Sequence, residues 1–309
     1  LLTKLKGNGV RVRRDDIMGK RLLTLWIGLS MAVVVVPGLK ADVETPYLII
    51  RDATGSMPTE TFDKLVKKVD RTFAEILKFW STGPRTEEWG KIIVEFEKPL
   101  PNASSSVFLW GKDKGKRVRI VKVYGGGENP HLLAHKLTSA LFPNRDKLIR
   151  NMMGEAAEVR FGNPISFPMC GFTTDEWVMA LLQIRSFIPL AKIGAEHSDW
   201  GMEMKDGVPR IKDRARQHAC YAEAGSFSGF IMETYGMDKM KQFNRLSSTK
   251  SRPWEETFGC SLEKLESDWL EVVKSKSRGT EDRITILVKL LQKNPVNACN
   301  AAQDIAGKK

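Results

Sequence analysis

The chain has 309 residues, 42% of them hydrophobic and 28% charged, with a formal charge of +12. Eight basic and two acidic residues precede Asp42, leaving 41 basic against 35 acidic residues and only +6 for the remainder. Such mild basicity without a recognition module excludes nucleic acid as an expected partner, and the absence of repeats leaves one large domain or two small lobes.

Residues 1–17 are basic, begin without methionine and precede a good start at Met18, so they read as upstream sequence from a misassigned start. Met18-Gly-Lys20-Arg21 followed by the apolar run Leu22 to Val36 has the n-region and h-region of a secretory signal peptide over 18–41. That run is short against the ~20 residues that span a bilayer. The expectation is an exported chain, 42–309, periplasmic or extracellular and without stable membrane insertion after cleavage. Its four widely spaced cysteines, Cys170, Cys220, Cys260 and Cys299, include no C-x-x-C pair. In an oxidising compartment they predict one or two disulfides, with all three pairings open.

Residues 42–124 mix strands with a helix. Tyr47 to Arg51 reads as a strand, and Thr59 to Trp80 as an amphipathic helix burying Phe62, Leu65, Val66, Val69, Phe73, Ile76 and Leu77. Lys91 to Phe96 and Val118 to Val123 are β-branched runs bounded by turn residues, hence strands. The basic cluster Lys112, Lys114, Lys116, Arg117, Arg119 and Lys122 reads as the solvated face of a strand. After Gly125-Gly-Gly127 the chain turns helical. Asn129 as N-cap, Pro130 at the first helical position and Pro143 as terminator predict a helix over His131 to Phe142, anchored by Leu133, Leu137, Ala140 and Leu141. Asp146 caps a second helix to about Arg160. Further helices are expected at Thr174 to Arg185, Arg214 to Tyr235, Met237 to Leu246, Leu262 to Lys274 and Thr280 to Gln292. The fold class is therefore α+β: a small N-terminal mixed α/β sheet lobe, 42–124, followed by a mostly helical lobe, 125–309.

His131-Leu-Leu-Ala-His135 places two histidines four apart on one helix face, the spacing of a zinc-binding helix, and Glu155 on the next helix supplies a third donor. The glutamate that would stand beside the first histidine as general base is replaced by Leu132. The plainer reading makes His131 and His135 polar residues near the domain surface, pairs Glu155 with Arg150 or Arg160, and leaves His197 and His218 as surface or satisfied polar groups.

In order along the chain, Val118 to Val123, Asn129 to Phe142, Met153-Gly-Glu155-Ala-Ala157, Ser186-Phe-Ile-Pro-Leu190, Tyr221-Ala-Glu-Ala-Gly-Ser-Phe227 through Gly236, and Phe258-Gly-Cys-Ser-Leu262 to Trp269 resemble the peptidase-MA-like, gluzincin-type metallopeptidases. The resemblance covers most of 42–309 and implies a zincin-like fold, a zinc site and a peptide or protein ligand. Two registers stay open. In one, His131, His135 and Glu155 are the ligands and only the base is lost. In the other, His135-Lys-Leu-Thr-Ser139-Ala-Leu141 lies on the family's HELTHAL pattern, with Lys136 replacing the base and Ser139 the second histidine.

Neither leucine nor a lysine ammonium can take the proton of a metal-bound water. The resemblance therefore implies a degenerate member that binds rather than cleaves. The alternative is a zinc hydrolase in which Glu158 or Glu128 supplies the base and Tyr221 or His218 donates to the oxyanion.

Overall fold

The computed structural model describes residues 42–101, 105–125 and 130–307, and only the backbone of 130–132. The expected leader, the upstream segment, Glu128 and Asn129 fall outside them.

Five strands form one sheet: β1 (Val43–Glu44), β2 (Leu48–Asp52), β3 (Ile92–Glu97), β4 (Ser106–Asp113) and β5 (Lys116–Tyr124), in the order β1-β2-β3-β5-β4. The β2–β3 and β3–β5 pairs are parallel and both edges antiparallel. A parallel centre needs cover on both faces, and Ile92, Ile93 and Val94 of β3 are each fully buried. Helix α1 (Thr59–Phe79) connects β2 to β3 and buries Phe62, Leu65, Val69, Phe73 and Ile76. Strand β4 was not foreseen. It turns into β5 through Lys114-Gly115, both at positive φ, with Asp113 paired to Lys116. Such a two-residue turn matches the strand twist and favours glycine at its second position.

The remainder is helical: a short α2 (Thr86–Trp89) within the sheet lobe, then α3 (Pro130–Leu141), α4 (Lys147–Phe161), α5 (Thr174–Gln183), a hairpin of β6 (Met202–Lys205) and β7 (Val208–Ile211), α6 (Arg214–Tyr235), α7 (Met237–Leu246), α8 (Trp254–Phe258), α9 (Leu262–Lys276), α10 (Glu281–Lys293) and α11 (Ala298–Ala306). The expected α+β order of sheet lobe and helical lobe holds. One hydrophobic cluster joins Leu48, Val94 and Val121 of the sheet to Leu137, Phe227 and Trp269 of the helices, so the lobes share a core. Helix α6 is buried on nearly all sides from Gln217 to Ser228, as a central helix must be. No helix among the described residues is long and apolar enough to cross a membrane.

One expectation is corrected, and the expectation of one or two disulfides is met by one. Arg119 does not belong to a solvated face: it is fully buried and its guanidinium donates to the carbonyls of Ala140, Pro84 and Gly90 at 3.2, 3.2 and 2.6 Å. Charge alternation along β5 conceals this, because the buried member looks like its neighbours. Among the cysteines, Cys170 and Cys299 form the disulfide, pinning α11 beside the loop after α4, while Cys220 and Cys260 are free thiols.

Candidate metal centre and its cleft

Asp146 starts α4 by accepting from the Leu148 amide at 2.9 Å, which fixes the helix phase. Lys147, Asn151, Glu155 and Glu158 then recur on one face at helical spacing, and all four are buried. That face lies against α3, where His135 is 1% exposed. The helices can approach because residue 154 is glycine: a Cβ there would stand 2.6 Å from His135 Cδ2 and Nε2.

His135 uses both ring nitrogens. Nε2 meets Asn151 Oδ1 at 3.0 Å, and Nδ1 lies 2.7 Å from Glu158 Oε2 and 3.1 Å from Glu155 Oε1. With the Nε2 proton given to Asn151, Nδ1 faces two carboxylates across a gap that only a proton or a metal cation can bridge favourably. Burial holds the Glu158 carboxyl well above the usual range, partly offset by Lys136 and by a hydrogen bond with Glu155. Burial and the Arg150 charge bring Lys136 down to about 8.

His135, Glu155 and Glu158 offer one ligand atom each, all within 4.8 Å of one another, a group that could hold a metal ion. Two donors about 2.0–2.1 Å from a tetrahedral ion are about 3.3 Å apart, so Nδ1 would move from Glu158 Oε2, now 2.7 Å away, by about 0.6 Å and from Glu155 Oε1, now 3.1 Å away, by about 0.2 Å. Asn151 supplies the supporting bond that orients a ligating imidazole. The donor chemistry therefore fits a metal.

The sequence-predicted residues divide accordingly. His135 and Glu155 come together as expected. The side chain of His131 lies outside the described residues. Glu155 does not pair with an arginine at the surface: it is completely buried against His135, because α4 turns this face inward. His135 is likewise no surface residue. Glu158, a candidate base, is the closer carboxylate of the donor group. Ser139 donates to the carbonyl of His135 at 3.0 Å, on its own helix. Asn151 and Gly154 were missed, although the polar stripe Lys147, Asn151, Glu155, Glu158 in a methionine- and alanine-rich helix was a readable signal.

A cleft of about 300 Å³ opens beside the cluster, with His135, Lys136, Glu158, His218 and Tyr221 in its wall. Both candidate oxyanion donors thus reach the cleft, but both are engaged. Nε2 of His218 donates to Pro168 O at 2.8 Å, and burial holds this imidazole down to about 4. The Tyr221 hydroxyl accepts from Lys147 Nζ at 3.2 Å, and burial beside Glu155 pushes its ionisation up. Cys170, His218 and Cys299 make a second cluster of metal-ligand types. Its two sulfurs are joined as the disulfide and are not thiolates.

No family model, curated protein or solved structure matches the chain.

Proposed function

We propose that this chain is an exported, metallopeptidase-like protein that has lost catalysis and works as a binding or scaffolding module for a peptide or protein ligand taken into the cleft. The observation that carries this reading is that Glu158 is the sole carboxylate among the described residues of the cleft wall, and it is already committed to His135. Metal-assisted hydrolysis needs a ligand set that leaves a position for water and a separate base to take its proton. Among the described residues, ligand and base would have to be one residue. Lys136 stands in the wall where one register places the base. His135, Glu155 and Glu158 would hold a zinc ion, which would supply Lewis acidity when bound. The Cys170–Cys299 disulfide suits an oxidising compartment.

The competing reading is a zinc-dependent hydrolase with an atypical base. Restoration separates the registers: Leu132→Glu alone should create zinc-dependent peptide cleavage in the first, and Lys136→Glu with Ser139→His in the second. Chelator-sensitive cleavage by the unaltered protein would overturn the proposal.

A further inference from the structure

Adjoining the cleft, with Lys136 and Tyr221 in both walls, lies a smaller cavity of about 20 Å³ between β4, α3, α4 and the β6–β7 hairpin, with Lys147, Arg150, Asn151 and His197 also in its wall. Its wall gathers basic side chains, on which the Glu155 and Glu158 carboxylates act from outside the wall. No carboxylate lines it among the described residues. The nearby Asp146 is taken by Arg252 at 2.6 and 3.2 Å and by the Leu148 amide. Glu155 and Glu158 are turned to His135.

Lys147 is the extreme case. It is 2% exposed, yet its ammonium has one hydrogen-bond partner among the described residues, the Tyr221 hydroxyl, and otherwise sits over the Trp200 and Tyr221 rings at 4.7 and 5.1 Å. Ring faces offset part of the cost of burying a cation, but an ammonium carries three donors and loses far more on leaving water without a counter-charge. The Asn151 side chain, 1% exposed, leaves its Nδ2 without an acceptor. Arg150 donates Nη1 to Asn144 O at 2.9 Å and brings a guanidinium to the cavity; burial together with the Arg150 and Lys136 charges holds Lys147 well below the usual lysine range, a cost that an anion beside it would relieve. His197 adds no charge, since burial and these cations hold it down to about 3.

We infer that this cavity, where Lys136, Lys147, Arg150 and the Asn151 amide converge, binds one small inorganic anion of chloride size. A cavity holds a water-sized occupant once it exceeds roughly 10–15 Å³. At about 20 Å³ it admits one monoatomic ion and excludes phosphate or sulfate. The anion would accept from Lys147 and from Asn151 Nδ2, which a neutral water would do without balancing the charge. The inference does not rest on the metallopeptidase reading.

Thermal melting at constant ionic strength in mixtures of sodium chloride and sodium gluconate tests it. A bound anion raises the melting temperature in proportion to the logarithm of chloride concentration above its dissociation constant, whereas bulky gluconate does not enter. In crystals grown with bromide, an anomalous peak should lie beside Lys147 Nζ. Lys147→Met should abolish the chloride dependence, and Arg150→Gln should weaken it if the first variant does not fold. Equal melting in chloride and gluconate, or bromide on the surface only, would overturn the inference.

Discussion

Gly154→Ala is the sharpest structural perturbation of the cluster. An alanine Cβ would stand 2.6–2.7 Å from three ring atoms of His135, about 0.8 Å inside ordinary contact, where the packed interior leaves little slack. A ring displaced that far cannot keep both its 2.7 Å bond to Glu158 and its 3.0 Å bond to Asn151. Overpacking costs about 1–3 kcal/mol, and one lost hydrogen bond to a charged partner about 1.5–3 kcal/mol. Alanine regains about 1 kcal/mol of helix propensity. The net expectation is a loss of about 3 kcal/mol, or roughly 6–12 °C in melting temperature for a domain of this size. Urea denaturation of the metal-free protein measures it. Gly229→Ala in α6 is the control, since a Cβ there meets nothing within 4 Å, and it should stabilise by up to about 1 kcal/mol. If Gly154→Ala proved as stable as the wild type, the close helix approach that builds the cluster would be wrong.

Replacing buried Arg119 by methionine strands the carbonyls of Ala140, Pro84 and Gly90 and should cost about 3–5 kcal/mol by denaturant titration. Removing the Cys170–Cys299 bond, which spans 129 positions, should cost about 2–5 kcal/mol and raise hydrogen exchange in α11. The His218 imidazole is held down to about 4 against an ordinary 6.5. Between those values the unfolded chain binds the extra proton, so the contribution is complete above pH 6.5 and falls away by about 3 kcal/mol as pH drops to 4. His218→Gln should flatten that part of the stability–pH curve, and an unchanged curve would refute the assignment. Zinc added to the chelated protein should bind with one equivalent and release protons, and Glu158→Gln should weaken it at least tenfold in calorimetry.

Much of this architecture is legible in the sequence because helices announce themselves by apolar stripes: Phe62 to Ile76 in α1 and Leu265, Trp269 and Val273 in α9 are buried as their spacing requires. Helix α11 was not read because Ala-Cys-Asn-Ala-Ala carries no large apolar residue; its place is fixed by Ala298 and Ala302 packing under α10 and by the disulfide. Disulfide pairing depends on chain segments far apart in sequence, so the spacing of four cysteines could not select it. The candidate site was half legible. His135 and Glu155 meet as their spacing implied, but the burial of Glu158, the orienting Asn151 and the close contact at Gly154 arise from how α4 lies on α3, which neither helix specifies alone.

The central claim, binding without hydrolysis, is tested most directly by offering the purified protein, loaded with one equivalent of zinc, a degenerate peptide library and following bond cleavage by mass spectrometry. With Glu158 committed to His135 and Lys136 beside it, the expected result is no cleavage above the protein-free control. Cleavage that disappears with chelator and returns with zinc would contradict it.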